Sequence, residues 1–282
     1  MNQLKTFILL TSLTLLLIWV GQVIGGPRGA MFAFAFSLIL NLSAYWFSDK
    51  LVLSMYRAKP VSEGQAPQLY QMVRDLTQAA NLPMPKVYTI PQQGANAFAT
   101  GRNPGNAAIA VTDGILNLLS EDELKGVLAH ELAHVGNRDI LIGSIAAAVA
   151  GAVMMVANMA RWAAMFGGYS RGRNRGSGNI FGLIAISILA PIAALIIQMA
   201  ISRSREYLAD RTGANFLHSG IPLAGALEKL DSQARHRPIT ANPQSAHMFI
   251  VNPLSGRQSL FNLFSTHPPI QSRIERLKQF SF

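Results

Sequence analysis

The sequence predicts a mainly α membrane protein, in which four apolar segments accompany an α+β domain with a short sheet. Three observations carry this. Charged residues make up 13% of the 282 residues, where an ordinary soluble domain has about 25%. Half of the chain is apolar. That apolar content is gathered into runs of roughly membrane length instead of being spread at helical or strand spacing.

The runs are residues 7–24, 31–47, 140–160 and 180–201. A bilayer's hydrocarbon core takes about 20 helical residues, so each is long enough or nearly so. The first could be a cleaved signal peptide, but a second follows after the short turn Gly25-Gly26-Pro27-Arg28, and the two form a natural hairpin. The third and fourth are uncharged, with Pro191 in the middle of the fourth and a Gly- and Arg-rich loop at 167–178 between them. Residues 56–139 read as soluble. Leu69, Met72, Val73 and Leu76 fall on one helical face. Residues 86–90, 96–100 and 107–112 read as strands, the last two separated by turn residues 101–105. Ser120 precedes Glu123 by three, a capping-box pattern that opens a helix through His134. After residue 202 the chain reads as mainly helical, with a Pro-, Asn- and Ser-rich loop at 236–258. The expected organisation is therefore an N-terminal transmembrane hairpin (1–55), the first part of a catalytic domain (56–139), a second apolar hairpin (140–201) and the second part of that domain (202–282).

The formal net charge is +10. No basic run is interleaved with aromatics in a foldable segment, which argues against nucleic acid. The basic residues flank the apolar segments, where anionic lipid headgroups account for them. There is no cysteine, so a metal could be held only by His, Asp and Glu.

The chemistry is concentrated at His130-Glu131-Leu132-Ala133-His134. Helix positions four apart share a face, so two imidazoles can take one zinc ion from the same side. The adjoining Glu131 can then act as general base on a water whose pKa the ion lowers to about 7. Histidine is scarce, with six in the chain, which makes a chance occurrence of this spacing a less casual event. A catalytic zinc needs a third ligand and an open position. Glu206-Tyr207-Leu208-Ala209-Asp210 supplies a carboxylate, Glu206, and one turn on an acid, Asp210, that can accept the ring N–H of His130 and fix its tautomer. Taken alone, these acids would read as a solvated face paired with Arg203, Arg205 or Arg211.

Chain position adds an independent argument. His134 lies six residues before the third apolar segment and Glu206 five after the fourth, so both stand about 8–9 Å from a segment edge. An antiparallel hairpin of these segments would bring them together on one side of the membrane. On that side lie Lys5, Lys50, Arg57, Lys59, Lys125, Arg138, Arg203, Arg205 and Arg211. Arg28, Arg161, Arg171, Arg173 and Arg175 lie on the other. Nine against five favours the cytoplasm for the site.

These motifs resemble the HtpX family of bacterial membrane proteases, gluzincins related to the CaaX-prenyl endopeptidases, and the resemblance runs over most of the chain. Residues 96–99 (Asn96, Ala97, Phe98, Ala99) resemble the family's strand beside the site. Thr266-His267-Pro268-Pro269 with Arg273 resembles its C-terminal signature. The resemblance implies a zincin-like catalytic domain in the bacterial inner membrane, multi-pass, with its site facing the cytoplasm and one Zn2+ held by His130, His134 and Glu206. It implies cleavage of misfolded or damaged membrane proteins under stress, with Glu131 as base and Asn96, Ala97 and Phe98 pairing with an extended substrate. His267, Arg273 or Tyr207 could donate to the oxyanion; His218, His236 and His247 are given no role.

Two other functions compete. A non-catalytic membrane scaffold or chaperone with a retained metal site would need no base beside its ligands and would close all four metal positions. A transporter would carry ionisable residues inside its spans, and none is present.

Overall fold

The computed structural model describes residues 2–145, 203–236, 250 and 268–280. The third and fourth apolar segments lie outside these residues, except that 140–145 are helical. Among the described residues the fold is mostly helical with one small mixed sheet.

Helix α1 (Asn2–Met55) contains the first two apolar segments and breaks at Gly26, with φ 59° and ψ −151°. Two causes coincide there. The residue before Pro27 is pushed out of the α region, and glycine alone takes positive φ without strain. The arms on either side touch: Asn41 Nδ2 donates to Thr14 Oγ1 at 2.8 Å and to the Leu10 carbonyl at 3.2 Å. The second arm, Gly25–Met55, is the one described helix long and apolar enough to cross a bilayer.

The sheet comprises β1 (Lys59–Pro60), β2 (Lys86–Ile90), β3 (Ala97–Gly101) and β4 (Ala107–Thr112) in the order β1-β2-β4-β3. β2 and β4 run parallel, while β3 is antiparallel to β4, with Ala97 opposite Val111 and Ala99 opposite Ile109. The expected strands thus form, the one expected at 96–100 shifted by one residue. Alternation sorts the side chains to two faces. Val87, Ala97, Ala99, Ile109 and Val111 join the main core, and Phe98, Ala108 and Ala110 pack with Val52 and Leu53 at the end of α1.

Against the main core lie α2 (Pro67–Ala79), α3 (Asp113–Leu118), α4 (Glu121–Gly136), α5 (Arg203–Leu217), α6 (Ile221–His236) and α7 (Ile270–Lys278). Leu69, Met72, Val73 and Leu76 of α2 are all buried, as their spacing requires. At the head of α4 the Ser120 backbone N–H donates to Glu123 Oε2 at 2.8 Å, while the Ser120 hydroxyl accepts from Glu123 N–H. Those two bonds satisfy two otherwise orphaned donors. Beyond this cap α4 is buried nearly all round, with Val127, Leu128, Leu132 and Val135 in the core. Each such side chain is worth about 1.5–3 kcal/mol in burial.

Candidate active site

His130 and His134 project from α4 toward α5. The helices can approach because α5 presents Gly213, where a Cβ would come within 2.9 Å of Ala129 C and His130 N. That close fit brings Glu206, about two turns earlier on α5, opposite both imidazoles. The two Nε2 atoms are 3.2 Å apart. Glu206 Oε2 is 3.8 Å from His130 Nε2, and its Oε1 is 3.6 Å from His134 Nε2. All three candidate ligand atoms lie within 4.8 Å of one another. Two ligands held at about 2.0–2.1 Å in a tetrahedron stand about 3.3–3.4 Å apart, so the two imidazoles have the spacing of neighbouring corners of a zinc site, with the Glu206 carboxylate beside both.

Each donor has a partner behind it. His130 Nδ1 lies 3.0 Å from Asp210 Oδ1. Asp210 takes the fork of Arg273, Nε at 2.9 Å and a terminal NH2 at 2.7 Å. Burial pushes the Asp210 carboxyl up, but Arg273 and His130 outweigh it and hold the pKa at about 2. Behind His134, Nδ1 lies 3.4 Å from Asp139 Oδ2. Burial pushes the His134 imidazole down, yet Asp139, Glu206 and Glu131 raise it to about 9. Asp139 reaches this position because Arg138, at φ 58°, turns the chain back at the end of α4.

Glu131 stands apart from the ligand trio. Its Oε2 accepts the Ala99 N–H at 2.8 Å, which leaves Oε1 free of that bond. Burial raises its pKa above the ordinary carboxyl value, against the pull of His130, His134 and the Ala99 amide. A carboxyl so placed takes up a proton more readily than an exposed one.

The other candidate residues fall as follows. Asn96 N–H donates to Thr112 Oγ1 and the Asn96 carbonyl accepts from Thr112 N–H, so at this position the backbone faces β4. Strand alternation then turns Phe98 inward and Ala97 and Ala99 outward, away from β4. The Phe98 side chain is 2% exposed and lies against Tyr56, ring centroids 5.1 Å apart. Arg273 is fully buried, with its fork on Asp210 and a third bond to the Ile250 carbonyl at 3.3 Å, a geometry that supports positioning of Asp210. The Tyr207 ring carries the Arg276 guanidinium at 4.0 Å. His267 lies outside the described residues. Sequence reasoning missed Asp139, the Ala99 amide and Gly213. Only Asp139 left a local trace, as an acid five residues after His134.

Two imidazoles and a carboxylate converging from separate helices, with an uncommitted acid alongside, define a metalloprotease. Comparison with known proteins agrees, and the chain belongs to peptidase family M48, whose model matches residues 63–281. A protease HtpX homologue of Syntrophobacter fumaroxidans is 59% identical over 279 residues, covering 98% of this chain and 99% of that protein. Another protease HtpX homologue, of Thermococcus kodakarensis, is 53% identical, covering 99% and 96%. Among solved structures, S. mikatae Ste24p matches 98% of this chain at a TM-score of 0.51 and 17% identity. This chain spans 65% of that one's length, and the likeness is one of fold. The protein is thus a membrane-associated metalloprotease.

Proposed function

We propose that this chain is a zinc endopeptidase of the bacterial inner membrane that cleaves misfolded or damaged membrane proteins. The observation that carries the reading is the convergence of His130, His134 and Glu206 within 4.8 Å, with Glu131 beside them. These three residues would hold the ion and leave one position open. Zinc bound there supplies Lewis acidity toward water and the scissile carbonyl. Glu131 takes the proton of the attacking water on Oε1 and delivers it to the leaving amine, its other oxygen steadied by Ala99. Asp210 and Asp139 orient the two imidazoles, and Arg273 keeps Asp210 ionised. His267, Arg273 and Tyr207 are the candidate donors to the oxyanion. A substrate would lie extended along β3, pairing with the outward backbone of Ala97, since β3 is the edge strand of the sheet. The scaffold alternative is not favoured, because a structural metal site has no use for Glu131.

The test is cleavage of a membrane protein by the purified full chain, with and without chelator. Glu131→Gln should keep its zinc and lose about 10²–10⁴-fold in rate. Glu206→Gln should lose zinc. Wild-type turnover by Glu131→Gln would end this mechanism. We also place residues 1–55 and 140–201 as two transmembrane hairpins with the catalytic parts in the cytoplasm. Reporter fusions at Gly64 and at the C-terminus should then both read as cytoplasmic, and opposite sides would overturn it.

A further inference from the structure

On the sheet face away from α4, the end of α1 meets β2 and the turn between β3 and β4. The depth of this junction in the membrane follows from the sequence. Between Arg28 and Asp49 no residue of α1 is charged. Those 20 residues rise about 30 Å, the thickness of the hydrocarbon core. Tyr45, Trp46 and Phe47 close the run and are exposed, as rings at a membrane–water boundary are. Asp49, Lys50 and whatever packs beside them therefore sit at headgroup level.

There a cleft of about 370 Å3 opens, lined by Trp46, Phe47, Asp49, Lys50, Lys86 and Arg102 among others. The Arg102 guanidinium lies over the Trp46 ring at 4.3 Å, and Lys50 Nζ over Phe47 at 5.2 Å. Among the described residues none of these three basic groups forms a salt bridge, although six other Lys or Arg side chains do so at 3.0 Å or less. Three cations against one acid leave the cleft at net +2. Aromatic faces hold two of the cations in place without neutralising them.

We infer that this cleft binds the headgroup of an anionic phospholipid. The phosphate meets Lys50, Lys86 and Arg102, and the acyl chains run back along the exposed apolar surface of the second arm of α1. The charge balance selects the lipid class. A zwitterionic headgroup offers the same phosphate but adds an ammonium that a +2 cleft repels. Free phosphate offers the anion without the acyl contacts. A lipid seated here bridges the membrane arm to β2 and the β3–β4 turn, and so ties the sheet that holds Glu131 to the bilayer surface.

The experiment uses the full chain, delipidated in detergent, and native mass spectrometry with phosphatidylglycerol or phosphatidylcholine offered singly. Wild type should retain phosphatidylglycerol at least about ten-fold more tightly than phosphatidylcholine. The triple variant Lys50→Gln, Lys86→Gln, Arg102→Gln should bind phosphatidylglycerol about 100-fold more weakly, each basic group being worth about five-fold. Its zinc content and its cleavage of a detergent-soluble substrate should be unchanged. Equal retention of the two lipids, or full retention by the triple variant, overturns the inference. Displacement of the lipid by an equal concentration of inorganic phosphate also overturns it, in favour of a soluble-anion site. Should the triple variant not fold, a salt series on wild type decides. Phosphatidylglycerol affinity that falls with salt while phosphatidylcholine affinity holds supports the lipid site, and parallel behaviour overturns it.

Discussion

The apolar side chains of α4, the helix that carries His130 and His134, and those of the second arm of α1 live in opposite surroundings. On α4, Leu128, Ala129, Leu132 and Ala133 have no exposure at all, whereas on the arm Met31 is 73%, Phe32 79% and Ile39 66% exposed. The interior polar groups differ in the same way. Those of α4 are answered by other elements: His130 by α5, Glu131 by β3, His134 by Asp139. On the arm the interior polar group Asn41 is answered within the same hairpin, at Thr14 and Leu10. An apolar helix in protein depends on its neighbours residue by residue, while one in lipid asks only for a continuous apolar coat.

The sharpest way to break the contrast is to remove one of those outside answers. Arg273→Met leaves Asp210 charged, buried and close to Glu206. Loss of one partner of a buried pair costs about 3–5 kcal/mol. Thermal unfolding in detergent should show that loss together with zinc affinity lower by about 10–100-fold. An unchanged melting temperature would mean that the pair does not matter to α4. Next in size is a paired truncation. Leu132→Ala should cost about 2–5 kcal/mol, and Phe32→Ala within about 0.5 kcal/mol in the same detergent. Equal costs would show that the arm is packed in protein.

The smallest effect concerns the cap of α4. Burial pushes the Glu123 carboxyl up, but Lys229 and Ser120 outweigh it, so its pKa lies below the ordinary value. A depressed folded-state value contributes stability above the unfolded pKa of about 4.5 and loses it as pH falls through the folded value. Glu123→Gln should therefore melt below wild type at pH 7, with the gap closing as pH falls below the ordinary carboxyl range. A gap that persists undiminished at acid pH would assign the effect to packing.

Much of the fold was legible wherever the signal is local. The strands at 86–90 and 107–112 and the buried face of α2 follow from periodicity, and the start of α4 from a four-residue cap. The ligand trio was legible because each half carries its own one-turn spacing. What could not be read depends on long-range approach. Arg273 and Asp210 are 63 positions apart, Ala99 and Glu131 are 32 apart, and neither pair leaves a pattern in its own segment. For the same reason nothing near Arg273 in the sequence signals that its fork meets Asp210. Gly213 looks like any glycine inside a helix until the backbone of α4 is seen against it.

The bond from Ala99 N–H to Glu131 gives the length of the β3–β4 turn a chemical meaning. Ala99 points its amide outward only because it sits opposite Ile109. Adding or deleting one residue between Gly101 and Ala107 would exchange inward and outward positions along β3. The strand could still pair, although Phe98 would turn to the face that Ala97 and Ala99 now occupy. Yet Glu131 would face a position with no donor, and both of its oxygens would be free to turn. Residue count in a surface turn is in this sense a setting of the acid's aim, held by spacing alone and invisible to any substitution that conserves length.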